Sequence, residues 1–359
     1  MSTRACGKVQ CMKISVIIPV YNTDHGFLKT CLDSLVSQDF DDYEVIAVND
    51  GSTNGCSEVL KDYASRYDFI KHVDQENAGT SVARNTGLSN AEGDYIMFVD
   101  ADDFVSEGIL RSSYEKAESE GCDILFFGYN TSYSNREINR VMKDPDPSIW
   151  ERDALELAVL KGDKRLGPVD VGAPWGKLIR HDIIRDNGIK YTPGLIKGQD
   201  TVFILHLIDH CSRFSYLSIC GYHYRISGSS VSHRYNPYIV SIMEKTLNAY
   251  MSFVDTRNKG DEFKDAVEKK YLKVLLGEYL ELLYLHPASK DSMEKRISDI
   301  KLLIGREPYR SIIKSTDPAS LGLMHRVMLY FLKKESIRPV FAVKKAEMFM
   351  RDRVIHKFS

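Results

Sequence analysis

The seven cysteines, at positions 6, 11, 31, 56, 122, 211 and 220, never fall in a CxxC spacing. An odd, scattered set builds neither a disulfide framework nor a structural zinc site, and it reads as reduced thiols in a cytoplasmic chain. No apolar run approaches the ~18 residues of a membrane-spanning helix. The longest runs, such as Ile14–Val20, are strand-sized. The first twelve residues carry no apolar signal region, which predicts no export. A net charge of −2 over 359 residues is too balanced for a dedicated nucleic-acid binder, so no nucleic-acid partner is expected. No GxGxxG follows the first apolar run, which disfavours a nucleotide-dependent oxidoreductase. The absence of GxxxxGK[ST] excludes a P-loop phosphotransferase. No internal repeat and no low-complexity tract is present.

What remains is an ordinary globular composition, 43% hydrophobic and 27% charged, long enough for one large domain with an appendage. Charge is unevenly spread. Residues Leu321–Ser359 hold nine Lys/Arg and three Asp/Glu, a tail of +6, so the other 320 residues carry −8.

Strand and helix signals alternate over residues 13–127. Lys13–Pro19 is a short β-branched run closed by proline, as a buried parallel strand would be. A helix follows over His25–Gln38, with Phe27, Cys31, Leu32 and Leu35 on one face. Further strands are expected at Tyr43–Asn49, Phe69–Val73, Asp94–Val99 and Asp123–Phe127, with helices at Ser57–Tyr67, Ser81–Ser89 and Glu107–Glu120. This order predicts an α/β fold, a doubly wound and mainly parallel sheet with helices on both faces. Residues 128–235 are mixed. Asn130–Ser148 reads as a polar surface excursion, followed by short helices near Arg152–Lys161, His181–Asp186 and Thr201–Asp209, and strand-like runs at Phe214–Leu217 and Gly221–Arg225. Residues 236–359 read as a helical C-terminal extension, striped by Val267, Tyr271, Val274, Leu275 and Leu282 and punctuated by Pro287, Pro308, Pro318 and Pro339. Residues 1–12 add no pattern. Met12 is the expected true start, or 1–11 are disordered, and N-terminal mass analysis of natively expressed protein separates these options.

In a doubly wound sheet the ligand crevice lies beyond the carboxyl ends of the strands. There the sequence places Pro19-Val20-Tyr21-Asn22, Asn49-Asp50-Gly51-Ser52 and Asp100-Ala101-Asp102-Asp103. Four carboxylates at one edge repel one another unless something positive joins them. Asp100 and Asp102, two apart at a strand end, can leave the sheet on one side and hold Mg2+ or Mn2+ against a diphosphate. A D-x-D is equally a set of turn or cap residues. Asp50 can accept from a ribose hydroxyl or a base imino group, or simply close a tight Asp-Gly turn. Arg84, after Asn77-Ala78-Gly79, can face phosphate, the acidic edge or solvent. Asp200 precedes a helical run and so suits an N-cap.

Taken together, IPVYN, NDGS, NAGTSVARNTGL and GDYIMFVDADD resemble the inverting family-2 glycosyltransferases of the GT-A fold, which build polysaccharides from nucleotide sugars. APWGKLIRHDII, GLIKGQDTVF and YHYRISGSSVS are similar to the branch that makes bacterial surface polysaccharides, and the resemblance covers residues 13–235. It implies a transferase domain with a nucleotide-binding half, 13–127, and an acceptor half, 128–235. It further implies that Pro19, Val20 and Tyr21 line the nucleotide pocket, that Asp50 meets a uracil base, and that Asn77, Gly79, Arg84, Asp100 and Ala101 complete the donor site. Asp102, with Asp100, would bind the Mn2+ or Mg2+ cofactor, and Asp200 would be the catalytic base. Gln199 stands where the family usually has Glu, which affects acceptor contacts or the proton affinity of Asp200. The partners implied are a nucleotide-sugar donor, most often UDP-linked, and a glycan or lipid-linked acceptor. Arg225 and His233 could close over a diphosphate, and Trp175 could be a sugar platform; each also suits packing or surface. Gln199 alone favours the alternative of a non-catalytic nucleotide-sugar-binding subunit of an assembly complex.

In the tail, Met324, Val327, Met328, Phe331 and Leu332 form a helical stripe followed by Lys333-Lys334, and Phe341, Val343, Lys344, Lys345, Met348, Phe349, Arg351 and Arg353 continue it. Such a helix lies on an anionic membrane surface or docks on the protein body. The first option would make the enzyme peripheral on the cytoplasmic membrane face.

Overall fold

The computed structural model describes residues 12–133, 136–143, 147–162, 169–226 and 234–358. The expectations for residues 1–11 and for His233 lie outside these. Two compact units, Met1–Gly228 and Ser229–Ser359, divide the chain and are taken separately.

The first unit is built on β1 (Ile14–Val20), β2 (Tyr43–Asp50), β3 (Ile70–Gln75), β4 (Tyr95–Phe98), β5 (Phe104–Val105), β6 (Ile124–Ser132), β7 (Glu137–Arg140), β8 (Lys177–Arg180) and β9 (Phe214–Arg225). Its helices are α1 (His25–Val36), α2 (Cys56–Arg66), α3 (Thr80–Asn90), α4 (Ile109–Glu120), α5 (Arg152–Lys161), α6 (His181–Asp186) and α7 (Gln199–Asp209). Among the described residues, nine strands form one sheet in the order β3-β2-β1-β4-β8-β6-β9-β5, with β7 paired to β6. β1 to β4, β6 and β9 share one direction, and β5, β7 and β8 oppose it.

Helices cover both faces. Ile14, Val16, Ile18 and Val20 of β1 pack with Leu28, Cys31, Leu32 and Leu35 of α1 and with Leu60 and Tyr63 of α2. Ile46 and Val48 of β2 pack on the other face with Ala83 of α3. Burial on both sides explains why these strands are continuously apolar rather than alternating. α3 lies so close to β1 that a Cβ on Gly87 would sit 2.3 Å from Cγ2 of Ile17.

β8 has no counterpart among the expected strands, and two expectations are corrected. Only four residues long and opening on a lysine, β8 is inserted antiparallel between β4 and β6. The strand expected at Asp123–Phe127 runs on to Ser132 and pairs with β7, so 130–140 is not a wholly irregular excursion. The two runs at 214–217 and 221–225 are one strand, β9. Its partner register jumps from Phe127↔Leu217 to Gly128↔Cys220, an irregularity that breaks the alternation on which the reading relied.

The second unit is helical: α8 (Ile239–Thr256), α9 (Asp261–Val274), a π-helical continuation over Leu275–Tyr284, α10 (Met293–Gly305), α11 (Tyr309–Ser315), α12 (Leu323–Lys333) and α13 (Ile337–Phe358). The stripe Val267, Tyr271, Val274, Leu275 and Leu282 is buried in it. α12 and α13 pack on each other and on this unit. Lys344, 2% exposed, places Nζ 2.7 Å from Glu281 and 3.0 Å from Glu347. Arg351 forks onto both oxygens of Glu281 at 3.0 and 2.9 Å. The tail therefore docks within its own unit. None of the described helices is long and apolar enough to cross a membrane.

Candidate active site

β4 ends at Phe98, and the chain turns sharply, with the Asp103 N–H donating to the Asp100 carbonyl at 3.0 Å. This turn carries Asp100-Ala101-Asp102-Asp103 at the carboxyl edge of the sheet. The positive partner that the acidic edge requires is Arg84, 3% exposed on α3. Its Nη2 donates to Asp100 Oδ1 at 2.7 Å and its Nη1 to Asp200 Oδ1 at 2.5 Å. Two carboxylates 100 residues apart in sequence thus meet on one guanidinium, and Tyr191 lies beneath it, 5.3 Å from ring centroid to Cζ.

Asp200 is the second residue of α7, and Gly198 rather than Asp200 is the N-cap. The N-cap reading of Asp200 is thereby corrected. Burial pushes the Asp200 carboxyl up to about 6; Arg84 opposes the shift and Asp100 adds to it. Asp102 lies on the exposed side of the turn and is also pushed up, first by desolvation and then by the charge of Asp100. Asp103 is buried, and burial followed by Asp100 raises it to about 8. Asp100 and Asp102 are hard oxygen donors on one turn and suit a small divalent cation, with Asp100 Oδ1 also bonded to Arg84. Among the described residues no group of three or more His, Cys, Asp or Glu side chains could hold a metal ion. Two protein carboxylates, with phosphate and water filling the remaining positions, is the usual shell of Mg2+ at a diphosphate.

Asp50, 2% exposed at the end of β2, is spent on the neighbouring loop. It accepts from Gln75 Nε2 at 2.7 Å and from the N–H groups of Ala78 and Gly79 at 2.9 Å each, while Asn77 Nδ2 donates to its carbonyl at 3.0 Å. Gly51 adopts φ +68°, and a Cβ there would lie 2.7 Å from the Asn77 nitrogen, so both turn and loop need glycine. This loop leads into α3 and so into Arg84. Tyr21 is exposed at the same edge, Pro19 is half-buried, and the Val20 and Ala101 side chains are buried. The structure thus brings Arg84, Asp100 and Asp200 together directly, with Asp102 on the same turn. Asp50, Asn77 and Gly79 form the adjoining loop.

Trp175 is 8% exposed, stacked on Tyr222 at 4.8 Å and on Tyr224 at 5.5 Å, so its ring is core rather than an open sugar platform. The Arg225 guanidinium lies 4.7 Å from the Phe27 ring and 4.8 Å from that of Phe104. Sequence reasoning missed Tyr191, Tyr222 and Lys177. The alternation in Tyr222-His223-Tyr224 places both tyrosines on one face and was the available signal. Lys177, pushed down to about 7 by burial, donates to the carbonyls of Asp170, Ala173 and Trp175 at 2.8, 2.6 and 3.2 Å. It closes a loop whose Gly172 lies beside Thr201 at the start of α7, where no spacing argument could have placed it.

Residues 15–187 match the family model described as Glycosyl transferase family 2. Over 296 residues the chain is 28% identical to "Uncharacterized glycosyltransferase EpsJ" of Bacillus subtilis (strain 168), a match covering 80% of this chain and 83% of that protein. It is 34% identical over 225 residues to "Uncharacterized glycosyltransferase YibD" of Escherichia coli (strain K12), covering 61% of this chain and 63%, under two thirds, of that one. Among solved structures, S. aureus TarS 1-349 in complex with UDP is similar in fold, with a TM-score of 0.64, 19% identity, and coverage of 94% of this chain and 91% of that one. The mixed sheet, with its acidic turn after β4, has the GT-A fold. Residues 15–187, just under half of the chain, are thus similar to glycosyltransferase family 2, and the wider similarity to EpsJ agrees with that match.

Proposed function

We propose that the protein is a metal-dependent inverting glycosyltransferase. It moves a sugar from a UDP-linked donor to a hydroxyl of a glycan or lipid-linked oligosaccharide in bacterial surface-polysaccharide synthesis. One observation carries this reading: a single buried guanidinium joins Asp100 of the D-x-D turn to Asp200 at the start of α7. Donor-side and acceptor-side carboxylates therefore share one centre. The UDP complex of TarS supports the choice of donor.

In this reading Asp50 shapes the Asn77–Gly79 loop around the nucleotide, and Pro19, Val20 and Tyr21 line its pocket. Asp102 and Asp100 would hold Mn2+ or Mg2+, which supplies charge neutralisation at the leaving diphosphate. Asp200 takes the proton from the acceptor hydroxyl as that oxygen attacks the anomeric carbon opposite the nucleotide, and configuration inverts. A carboxyl lifted to about 6 suits this task, because it is ionised at neutral pH yet more basic than an exposed aspartate. Docking on anionic lipid at the cytoplasmic membrane face through 321–359 completes the proposal.

Asp200→Asn keeps the shape of the side chain and removes the base. It should bind UDP-sugar with the parent's affinity in calorimetry and lose turnover by about 10³-fold or more. Undiminished transfer by this variant would remove Asp200 from the mechanism.

A further inference from the structure

Asp103 adjoins the D-x-D pair but is spent elsewhere. It is 1% exposed; its Oδ2 accepts the Tyr222 hydroxyl at 2.7 Å, and its Oδ1 accepts the Arg225 backbone N–H at 2.8 Å. The same Tyr222 oxygen accepts the backbone N–H of Asp100 at 3.1 Å. A continuous path therefore runs from the Asp100 N–H through the Tyr222 hydroxyl to the Asp103 carboxyl and on to the Arg225 N–H. Tyr222 is itself fixed, fully buried and stacked on Trp175 with an interplanar angle of 5°. From the opposite side, the Cys31 thiol of α1 reaches the Asp100 carbonyl at 3.7 Å.

These bonds lie where the sheet offers little else. β5 and β9 pair over two residues only, Phe104↔His223 and Val105↔Tyr222. Arg225 ends β9, with its guanidinium between the rings of Phe27 and Phe104 and its Nη1 buried without a hydrogen-bond partner among the described residues. A cation with an unspent donor stands at one end of the path and the cation-binding turn at the other. That pairing of charges suits a nucleoside diphosphate carrying a divalent ion.

We propose that Asp103 and Tyr222 are positioning residues, which fix the D-x-D turn against the end of β9 so that its carboxylates meet the cation on the donor diphosphate preset. The proposal rests on the reading of Asp100 and Asp102 as the cation site. It adds residues that touch neither donor nor cation.

Calorimetry of the full chain with UDP, with and without Mn2+, tests it. Tyr222→Phe keeps the stacked ring and removes the hydroxyl. It should cut the Mn2+-dependent gain in UDP affinity about tenfold and leave Mn2+-free affinity within about twofold, as loss of an orienting partner does. In an Asp102→Ala background the same change should add nothing, because its effect passes through the turn. Should Tyr222→Phe fail to fold, Asp103→Asn, which keeps one acceptor, should show the same loss. A variant that retains the parent's Mn2+-dependent gain, or loses affinity equally in both backgrounds, overturns the proposal alone. A parent chain with no Mn2+-dependent gain overturns the proposed function as well.

Discussion

Arg84 places its two terminal nitrogens on different carboxylates, and burial gives those contacts more weight than a surface pair would have. Burial of Asp200 pulls the other way and favours its protonated form, leaving that carboxyl near 6 instead of its ordinary 3.8. A base must be ionised to accept a proton, so kcat/KM for transfer should rise with pH through about 6 and level off above it. A profile flat from pH 5 to 8 would contradict Asp200 as base. Stability should run in the opposite sense. The folded chain holds this proton more tightly than the unfolded chain, so the contribution is complete below about 4 and lost as pH rises through about 6. Denaturant unfolding at pH 5 and pH 8 should show the parent losing more stability over that interval than Asp200→Asn does.

α3 carries Arg84, and its distance from β1 sets where the guanidinium lies. The spacing depends on Gly87, where an added methyl would meet Ile17 of β1 at 2.3 Å. Gly87→Ala should cost about 1–3 kcal/mol in denaturant unfolding, the usual penalty for overpacking, and combined with Ile17→Ala, which removes the clashing Cγ2, it should cost less than the sum of the two single changes. An unchanged midpoint for Gly87→Ala would show that α3 can move away freely. Elements of this kind were largely legible in the sequence. The β1, β2, β4 and α3 expectations each fall within a residue or two of the structure, because continuous apolar runs and helical spacing encode them locally. β8 and β5 were not legible. Four residues and two residues carry too little periodicity, and their pairing with distant strands is fixed by tertiary contacts. The site divides in the same way. The D-x-D turn and the DGS turn are contiguous signals, whereas the Tyr222–Asp103 bond joins residues 119 apart and leaves no local trace.

On the scale of the whole chain, the uneven charge is the feature that the catalytic reading does not use. The tail docks through Lys344 and Arg351, but much of its cationic and apolar surface still faces solvent. On α12 the exposed positions include Leu323, Arg326, Tyr330 and Lys333, recurring every three or four residues, with exposed Lys334 at its C-cap. On α13 they include Arg338, Lys345, Phe349 and Met350. Leu323 and Phe349 are 74% and 57% exposed, large apolar groups set among lysines and arginines. Rings and aliphatic chains that enter a headgroup layer beside cations that attract it make an interfacial surface. Each lysine near an anionic bilayer contributes roughly 1 kcal/mol, so reversing three of them should weaken attachment by about two orders of magnitude or more. The full chain should therefore float with vesicles containing phosphatidylglycerol, but not with phosphatidylcholine alone, and flotation should decline as salt shortens the Debye length. Lys333→Glu, Lys334→Glu and Lys345→Glu combined should remain at the bottom of the gradient while still binding UDP. Each of these side chains is exposed and none belongs to the donor site, so the two readouts should separate. A parent chain that stays with the soluble fraction at low salt would leave the basic tail as a packing element of its own unit.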